Sequence, residues 1–152
     1  MKKVILGATG SIGSSLAKKL VDLGEQVHLV GRDEASLSEL ANELNSTFTT
    51  CDVLEENFSE KIINDLKDEQ VNGLAYCVGS IDLKPLKLTK KSDFMQSFNL
   101  NLVSATEIIK SLADNLKASK GSIVLFSTVA VQQGFPNHAI VSSAKGAVEG
   151  LT

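Results

Sequence analysis

The chain has 152 residues, of which 43% are hydrophobic, and its formal net charge is −3. This length and composition suit one domain with a buried core and exclude a disordered chain. The acidic balance argues against nucleic acid or an anionic membrane as the main partner. No apolar run approaches the roughly 18 residues that a membrane-spanning helix needs, and we expect a cytoplasmic protein.

Strand-like apolar runs alternate with helical patterns along the chain. The predicted strands cover residues 3–6, 26–30, 46–51, 72–78 and 122–126. The predicted helices cover residues 12–23, 34–44, 59–67, 90–117 and 138–152. This alternation predicts a doubly wound α/β fold around a parallel sheet. The run 123–126 is wholly apolar, which is typical of a strand covered on both faces.

The last two helical patterns are informative in different ways, the first through its start and its apolar stripe and the second through its end. The 90–117 pattern has Thr89 and Ser92 as candidate N-caps. It carries an apolar stripe that we interpret as core: Phe94, Phe98, Leu102, Ala105, Ile109 and Leu112. The 138–152 pattern reaches the end of the chain without a C-cap, and the fifth strand is left as a bare edge. We therefore expect the chain to be a fragment of a longer protein.

The cysteines and histidines show no pattern of a metal site. Cys51 and Cys77 each end a strand-like run, which favours buried thiols over a disulfide. His28 and His138 lie far apart in sequence, so we expect no zinc site.

A glycine-rich turn follows the first strand directly. It reads Gly7-Ala8-Thr9-Gly10-Ser11-Ile12-Gly13 and opens the first helix, which is the context of a dinucleotide fingerprint. Gly7 permits the tight turn, Gly10 lets pyrophosphate approach the backbone, and Gly13 lets the helix lie close to the strand. We expect residues 7 and 9–13 to contact the phosphates at the helix N-terminus. A plain strand–turn–helix is the alternative.

The chain resembles the short-chain dehydrogenase/reductase family over its whole length. The glycine turn is similar to the family's first motif, although Gly10 stands one place early. Asp52-Val53 resembles the pair that holds the adenine. The segment 98–102 resembles the one that carries the active-site asparagine, here Asn101.

Two further motifs follow in the order of the family. Residues 121–128 resemble the fifth strand and its catalytic serine end. Residues 142–150 resemble the helix with the catalytic lysine, here Lys145. The resemblance implies a Rossmann-type sheet with strand order 3-2-1-4-5 that lacks the later strands. Residues 1–152 would form one NAD(P)-binding domain, about the first two thirds of a longer protein.

The departures from the family concern the catalytic groups. The family's tyrosine position is occupied by Val141, and the single tyrosine, Tyr76, ends the fourth strand. The family's serine position falls on Thr128, with Ser127 beside it. The family's Asn-Asn-Ala-Gly is replaced by Tyr76-Cys77-Val78-Gly79, where we expect residues 77–79 to border the adenosine.

The resemblance implies roles for three polar residues. Lys145 would bind the ribose hydroxyls, Thr128 would orient a carbonyl, and Asn101 would hold a water molecule of a proton relay. The alternatives are a solvent-facing helix lysine for Lys145 and a buried structural amide for Asn101.

Three functions stay open because Val141 cannot donate a proton. In the first, the protein is an oxidoreductase for a small carbonyl or alcohol substrate, with the proton supplied by Thr128, Ser127, His138 or water held by Lys145 and Asn101. The alternative for His138 is a surface residue at a helix start. In the second, the protein binds the cofactor without turnover, as a sensor or interaction module. In the third, it catalyses a different reaction on a similar scaffold.

The residues after the second strand favour NADP over NAD. The position of an NAD-type acid falls on Gly31, and the neighbouring Arg32 suits a 2′-phosphate. Ser11 adds a hydroxyl for the same phosphate. Asp33 is the competing acid, although it also suits a helix N-cap. By resemblance, the helices 90–117 and 138–152 would form the contacts of a homo-oligomer.

Overall fold

Five parallel strands form the single sheet in the computed structural model, which describes residues 1–67 and 69–152. The strands are β1 Lys2–Leu6, β2 Gln26–Gly31, β3 Thr47–Thr50, β4 Val71–Tyr76 and β5 Ser122–Leu125. Their order is β3-β2-β1-β4-β5, so the predicted doubly wound arrangement is confirmed.

Helices cover both faces of this sheet. They are α1 Ser11–Asp22, α2 Glu34–Glu43, α3 Phe58–Leu66, α4 Lys91–Phe98, α5 Ser104–Ser119 and α6 Ala139–Leu151. Alternate β1 residues enter opposite cores, since Val4 and Leu6 pack in the core that includes α3 and α5, whereas Ile5 packs in the one that includes α1 and α2. Because β1 is central, every one of its apolar side chains is buried.

The fifth strand is exposed, contrary to the prediction of a strand covered on both faces. Ile123 and Val124 keep 43% and 47% of their surface accessible. The reason is that β5 lies at the edge of the sheet and pairs only with β4 among the described residues. An apolar run shows that a strand can be buried, but whether it is buried depends on the strands and helices that pack beside it.

The predicted helix 90–117 is α4 and α5 joined by a π-helical segment, Asn99–Val103. The predicted caps are wrong, because Lys90 is the N-cap and its backbone N–H donates to Asp93 Oδ2 at 2.8 Å. The predicted core stripe is only partly right: Ala105 and Leu112 are buried, but four of its members are half-buried, namely Phe94, Phe98, Leu102 and Ile109. A π turn inserts one extra residue, which rotates the following helical face by about 100°.

Candidate cofactor and active site

A cleft of about 700 Å³ opens at the carboxyl ends of the strands. Parallel α/β sheets bind ligands at this edge, at the point where the strand order reverses, here between β1 and β4. Among the residues predicted to bind a cofactor, the cleft is lined by Gly7, Thr9, Gly10, Arg32, Asp52, Val53, Cys77, Val78 and Gly79.

Two glycines of the turn have no room for a side chain. Gly7 has φ +74°, and a Cβ there would lie 2.9 Å from the carbonyl carbon of Cys77. A Cβ on Gly13 would lie 2.2 Å from the carbonyl oxygen of Gly7. Gly10 differs, since the nearest atom to its would-be Cβ is Gly7 O at 3.3 Å. The turn is therefore tightest beneath the helix, whereas Gly10 is less crowded, with Gly7 O as the one close neighbour of its would-be Cβ among the described residues.

The first turn of α1 presents backbone donors at this opening. Gly10 is the N-cap, and no side chain caps the helix. The N–H groups of Ser11, Ile12 and Gly13 precede the intrahelical hydrogen bonds, and the helix dipole adds partial positive charge there. This donor set fits the pyrophosphate of a dinucleotide.

The far end of the cleft carries a paired cation. Arg32 Nη1 lies 3.5 Å from Asp52 Oδ2, while Asp52 Oδ1 accepts a hydrogen bond from Leu54 N at 3.0 Å. The Asp33 carboxylate instead accepts from Ser36 N at 2.8 Å and caps α2. Hydrogen bonds from Ser36 lower the pKa of Asp33, so this acid stays ionised in its capping role.

Asn101 and Lys145 lie next to Gly79, which lines the cleft, although neither of the two is itself among the lining residues. A Cβ on Gly79 would lie 3.1 Å from Asn101 Oδ1 and 3.4 Å from Lys145 Nζ. Asn101 Nδ2 donates to Ser97 O at 2.9 Å, but its buried Oδ1 has no partner among the described residues. Lys145 is 9% exposed, and burial lowers its pKa. A buried cation and an unsatisfied acceptor thus face one small space.

The π-helical segment places Asn101 at this point, and the helical periodicity did not predict it. Tyr76 Oη donates to Leu100 O at 2.7 Å, and Ser104 Oγ lies 2.8 Å from Val53 O. These hydroxyls help to stabilise a stretch in which regular helical hydrogen bonds are lost. Burial raises the pKa of Tyr76, so this phenol is a structural donor and no replacement for the missing tyrosine. The sequence signal was a polar pair, Asn99 and Asn101, inside an apolar helix.

The remaining candidate proton donors have other contacts. The Ser127 hydroxyl donates to Glu149, and Thr128 Oγ1 accepts from Ala130 N at 3.3 Å. His138 is the half-buried N-cap of α6, and its Nδ1 donates to Pro136 O at 2.7 Å. Val141 is 3% exposed.

Both cysteines are free thiols that line the cleft. Burial raises the pKa of Cys51 and of Cys77 to about 11. They are therefore protonated near neutral pH and are poor nucleophiles.

Comparison with known proteins places the whole chain in one group. The sequence profile of the short chain dehydrogenase family matches residues 2–152. The rabbit (Oryctolagus cuniculus) L-fucose dehydrogenase is 30% identical over 153 residues, covering 98% of this chain and 54% of that protein. The L-xylulose reductase of Bos taurus is 30% identical over 156 residues, covering 99% of this chain and 62% of that protein.

Solved structures share the fold. A short chain dehydrogenase/reductase family protein superposes with a TM-score of 0.92 at 23% identity, covering 100% of this chain and 65% of that one. A short-chain type dehydrogenase/reductase from Mycobacterium ulcerans superposes with a TM-score of 0.90 at 20% identity, covering 99% and 59%. The chain thus spans between 54% and 65% of the length of these four proteins. Among the described residues, no helix is long and apolar enough to span a membrane.

Proposed function

The chain belongs to the short-chain dehydrogenase family, and we propose that it is the cofactor-binding part of an NADP(H)-dependent oxidoreductase. Its substrate would be a small carbonyl compound or alcohol, and its proton donor is not a tyrosine. The observation that carries this proposal is the approach of Lys145 and Asn101 to Gly79, a residue that lines the glycine-turn cleft. The same three positions match the motifs through which the chain resembles its family.

The cleft fits an extended dinucleotide. The backbone N–H groups of Ser11, Ile12 and Gly13 would hold the pyrophosphate, and Asp52 with Val53 would border the adenine. Lys145 would bind the hydroxyls of the nicotinamide ribose. When bound, the nicotinamide supplies or accepts the hydride of the reaction.

Arg32 favours NADP over NAD. Its guanidinium is 75% exposed at the rim of the cleft, where Asp52 holds it in place. Gly31 offers no carboxylate for a ribose 2′-hydroxyl, and Asp33 is engaged in capping α2. A guanidinium can form two parallel hydrogen bonds with a 2′-phosphate, whereas a free 2′-hydroxyl has no acidic partner here.

Replacing Arg32 by alanine should weaken NADPH binding about tenfold or more, because hydrogen bonds to a charged group contribute about 1.5–3 kcal/mol and this side chain is solvated. NADH affinity should stay within about twofold and is the internal control. Titration of each nucleotide, followed by nicotinamide fluorescence, measures both. Arg32→Lys should fall between wild type and Arg32→Ala, since lysine keeps the charge and loses the bidentate geometry. Equal NADPH affinity in all three proteins would contradict the assignment.

Water held by Lys145 and Asn101 is the proton donor that the geometry supports best. Nζ and Oδ1 both lie beside Gly79, 3.4 Å and 3.1 Å from its would-be Cβ, and we infer that one water molecule next to Gly79 bridges the two atoms. In the reductive direction this water protonates the substrate oxygen, and the Lys145 ammonium replaces the proton. Burial lowers the pKa of Lys145, which makes the ammonium a better acid.

Introducing the family's acid should test this site directly. Val141→Tyr should raise carbonyl reduction about tenfold to a hundredfold, because a placed phenol near Lys145 adds general acid catalysis. Val141→Phe is the matched control, since it adds the ring without the hydroxyl and should give no gain. Initial rates of NADPH oxidation over a panel of ketones measure the effect. Equal rates for the two variants would show that the phenol does not reach the substrate.

Val141 also favours a second candidate function, a cofactor sensor. Its buried side chain removes the family's proton donor while the cleft is retained. NADPH binding without turnover of any carbonyl in the panel would favour the sensor over the enzyme. Robust turnover of a carbonyl in the panel would exclude it.

The homo-oligomer through the helices 90–117 and 138–152 and the cytoplasmic location stay predictions. Sedimentation of the purified protein measures the first, and fractionation of cells measures the second.

A further inference from the structure

His28 is a fully buried imidazole within β2, where it pairs with Val4 in the middle of β1. It lies on β2, directly beside Thr47 of β3 in the strand register. Its Nδ1 is 2.8 Å from Thr47 Oγ1, and its Nε2 is 2.9 Å from Thr49 Oγ1. One side chain thus contacts two alternate residues on the same face of the neighbouring strand.

The outer partners of the two threonines determine the direction of these hydrogen bonds. Thr49 Oγ1 donates its proton to Asp65 Oδ2 at 2.6 Å, so it must accept from His28 Nε2–H. Lys2 Nζ donates to Thr47 Oγ1 at 2.9 Å, which leaves the Thr47 proton for His28 Nδ1. The hydrogen bonds therefore run one way through a neutral imidazole, from the cation of β1 to the carboxylate of α3.

The strand contacted by His28 leads straight to the candidate cofactor site. β3 has four residues and pairs only with β2 among the described residues. Cys51 N donates to Gly31 O at 2.9 Å, and Asp52 then faces Arg32. A slip of one residue would move Asp52 by about 3.3 Å and turn both threonines to the other face of the sheet. The imidazole can contact both hydroxyls in the observed register alone.

We propose that His28 is a positioning residue for the adenosine end of the cleft. The neutral imidazole holds β3 in register and keeps Asp52 opposite Arg32, and protonation of the imidazole at acidic pH releases β3. The part that concerns the cofactor rests on the proposed function. The part that concerns β3 does not.

The charges around His28 set the sign of the acid effect. Burial lowers its pKa from 6.5 to about 4, Lys2 acts in the same direction, and Asp65 and Glu69 oppose them. Separation of β3 from β2 would expose His28 and restore its ordinary pKa, so the open form binds a proton more readily than the closed form does. The stabilising contribution of neutral His28 is complete above pH 6.5 and is lost as the pH falls toward 4.

Hydrogen exchange on the chain without nucleotide tests the β3 part. Between pH 7 and pH 5, the protection factors of the β3 amides bonded to β2 should fall about twentyfold, after correction for intrinsic exchange. Amides of β1 and β4 should change by less than threefold. Nitrogen-15 shifts of the imidazole should place the proton on Nε2. An equal loss of protection in all strands would mean global destabilisation and would overturn the positioning role.

Variants separate His28 from the other titratable groups. His28→Gln keeps one donor and one acceptor without a titration, and its β3 protection should be independent of pH over this range. His138→Gln, which changes the second of the two histidines, should keep the twentyfold loss. A retained loss in His28→Gln would overturn the proposal, even where His28→Leu fails to fold.

The cofactor part has its own readout. His28→Leu should weaken NADPH binding about tenfold at pH 7.5, and His28→Gln should restore the affinity to within threefold of wild type. Unchanged affinity in His28→Leu would refute the link to the cleft. If the wild-type chain bound no NADPH, the proposed function would fail, whereas the exchange result would still decide the role of His28 in β3.

Discussion

Replacing Lys145 by methionine should lower carbonyl reduction by about 10²–10⁴-fold, the range typical of general acid catalysis, because the proposed donor water loses the ammonium that holds it and supplies its proton. Methionine fits the buried site, so the packing of α6 against its neighbours should be retained. NADPH affinity should fall by about tenfold or less, because the phosphate contacts come from the glycine turn and Arg32. Turnover at saturating NADPH, beside the dissociation constant from fluorescence, separates the two effects. Lys110→Met, on the exposed face of α5, is the matched control and should leave both values unchanged.

The pH profile adds a second readout for the same residue. Since the ammonium is the acid form, reduction should slow as the pH rises through the pKa of Lys145, which burial places below its usual value. The oxidation of alcohols should respond in the opposite sense. Wild-type turnover in Lys145→Met with an unchanged pH profile would eliminate the lysine-held water as the donor and direct attention to Thr128 or His138.

Gly13→Ala should lower the free energy of unfolding by about 3 kcal/mol, because the new methyl group meets backbone and not a movable side chain. Its Cβ would lie 2.2 Å from Gly7 O and 2.9 Å from Ala8 Cα. To remove these close contacts, α1 must shift away from β1, and this shift displaces the N–H groups proposed to hold the pyrophosphate. NADPH binding should therefore fall at least tenfold in the molecules that remain folded. Urea unfolding and nucleotide titration measure the two losses.

Gly146→Ala in α6 is the matched control for this substitution. Its nearest neighbour is Val131 Cγ1 at 3.6 Å, an ordinary contact distance. Alanine is favoured over glycine in a helix by about 1 kcal/mol, so this variant should be slightly more stable than wild type. Equal stability of Gly13→Ala and wild type would show that the turn relaxes without cost, and the tight-turn account would be wrong.

Much of the fold followed from local patterns. Apolar runs separated by helical periods predicted a parallel sheet, because neighbouring parallel strands need a crossover connection, which is usually a helix. The strand order 3-2-1-4-5 was implied by the resemblance to the family. The glycine turn was visible because the φ of +74° at Gly7 and the close contact of Gly13 with the Gly7 carbonyl oxygen both lie within the turn itself. The N-cap at Asp33 was visible for the same kind of reason, since a cap satisfies N–H groups three residues away.

The features missed by these patterns depend on contacts between distant segments. Ile123 and Val124 are apolar but exposed, because no strand among the described residues pairs with the outer side of β5. The π-helical segment around Asn101 is supported by hydroxyls from other parts of the chain, one of them 24 residues away at Tyr76. Helical periodicity assumes a constant rise and twist, so it cannot show where such a donor interrupts the helix.

The residues themselves thus carry the alternation of strands and helices, the glycine turn and the absence of a tyrosine at position 141, since each depends on near neighbours or on residue identity. Folding brings together Gly79, Asn101 and Lys145, and likewise Lys2, His28 and Asp65. In both groups the chemistry arises from burial combined with contacts across strands and helices. Burial lowers the pKa of Lys145 and of His28 alike, and a linear pattern of residue types contains neither the burial nor the contacts.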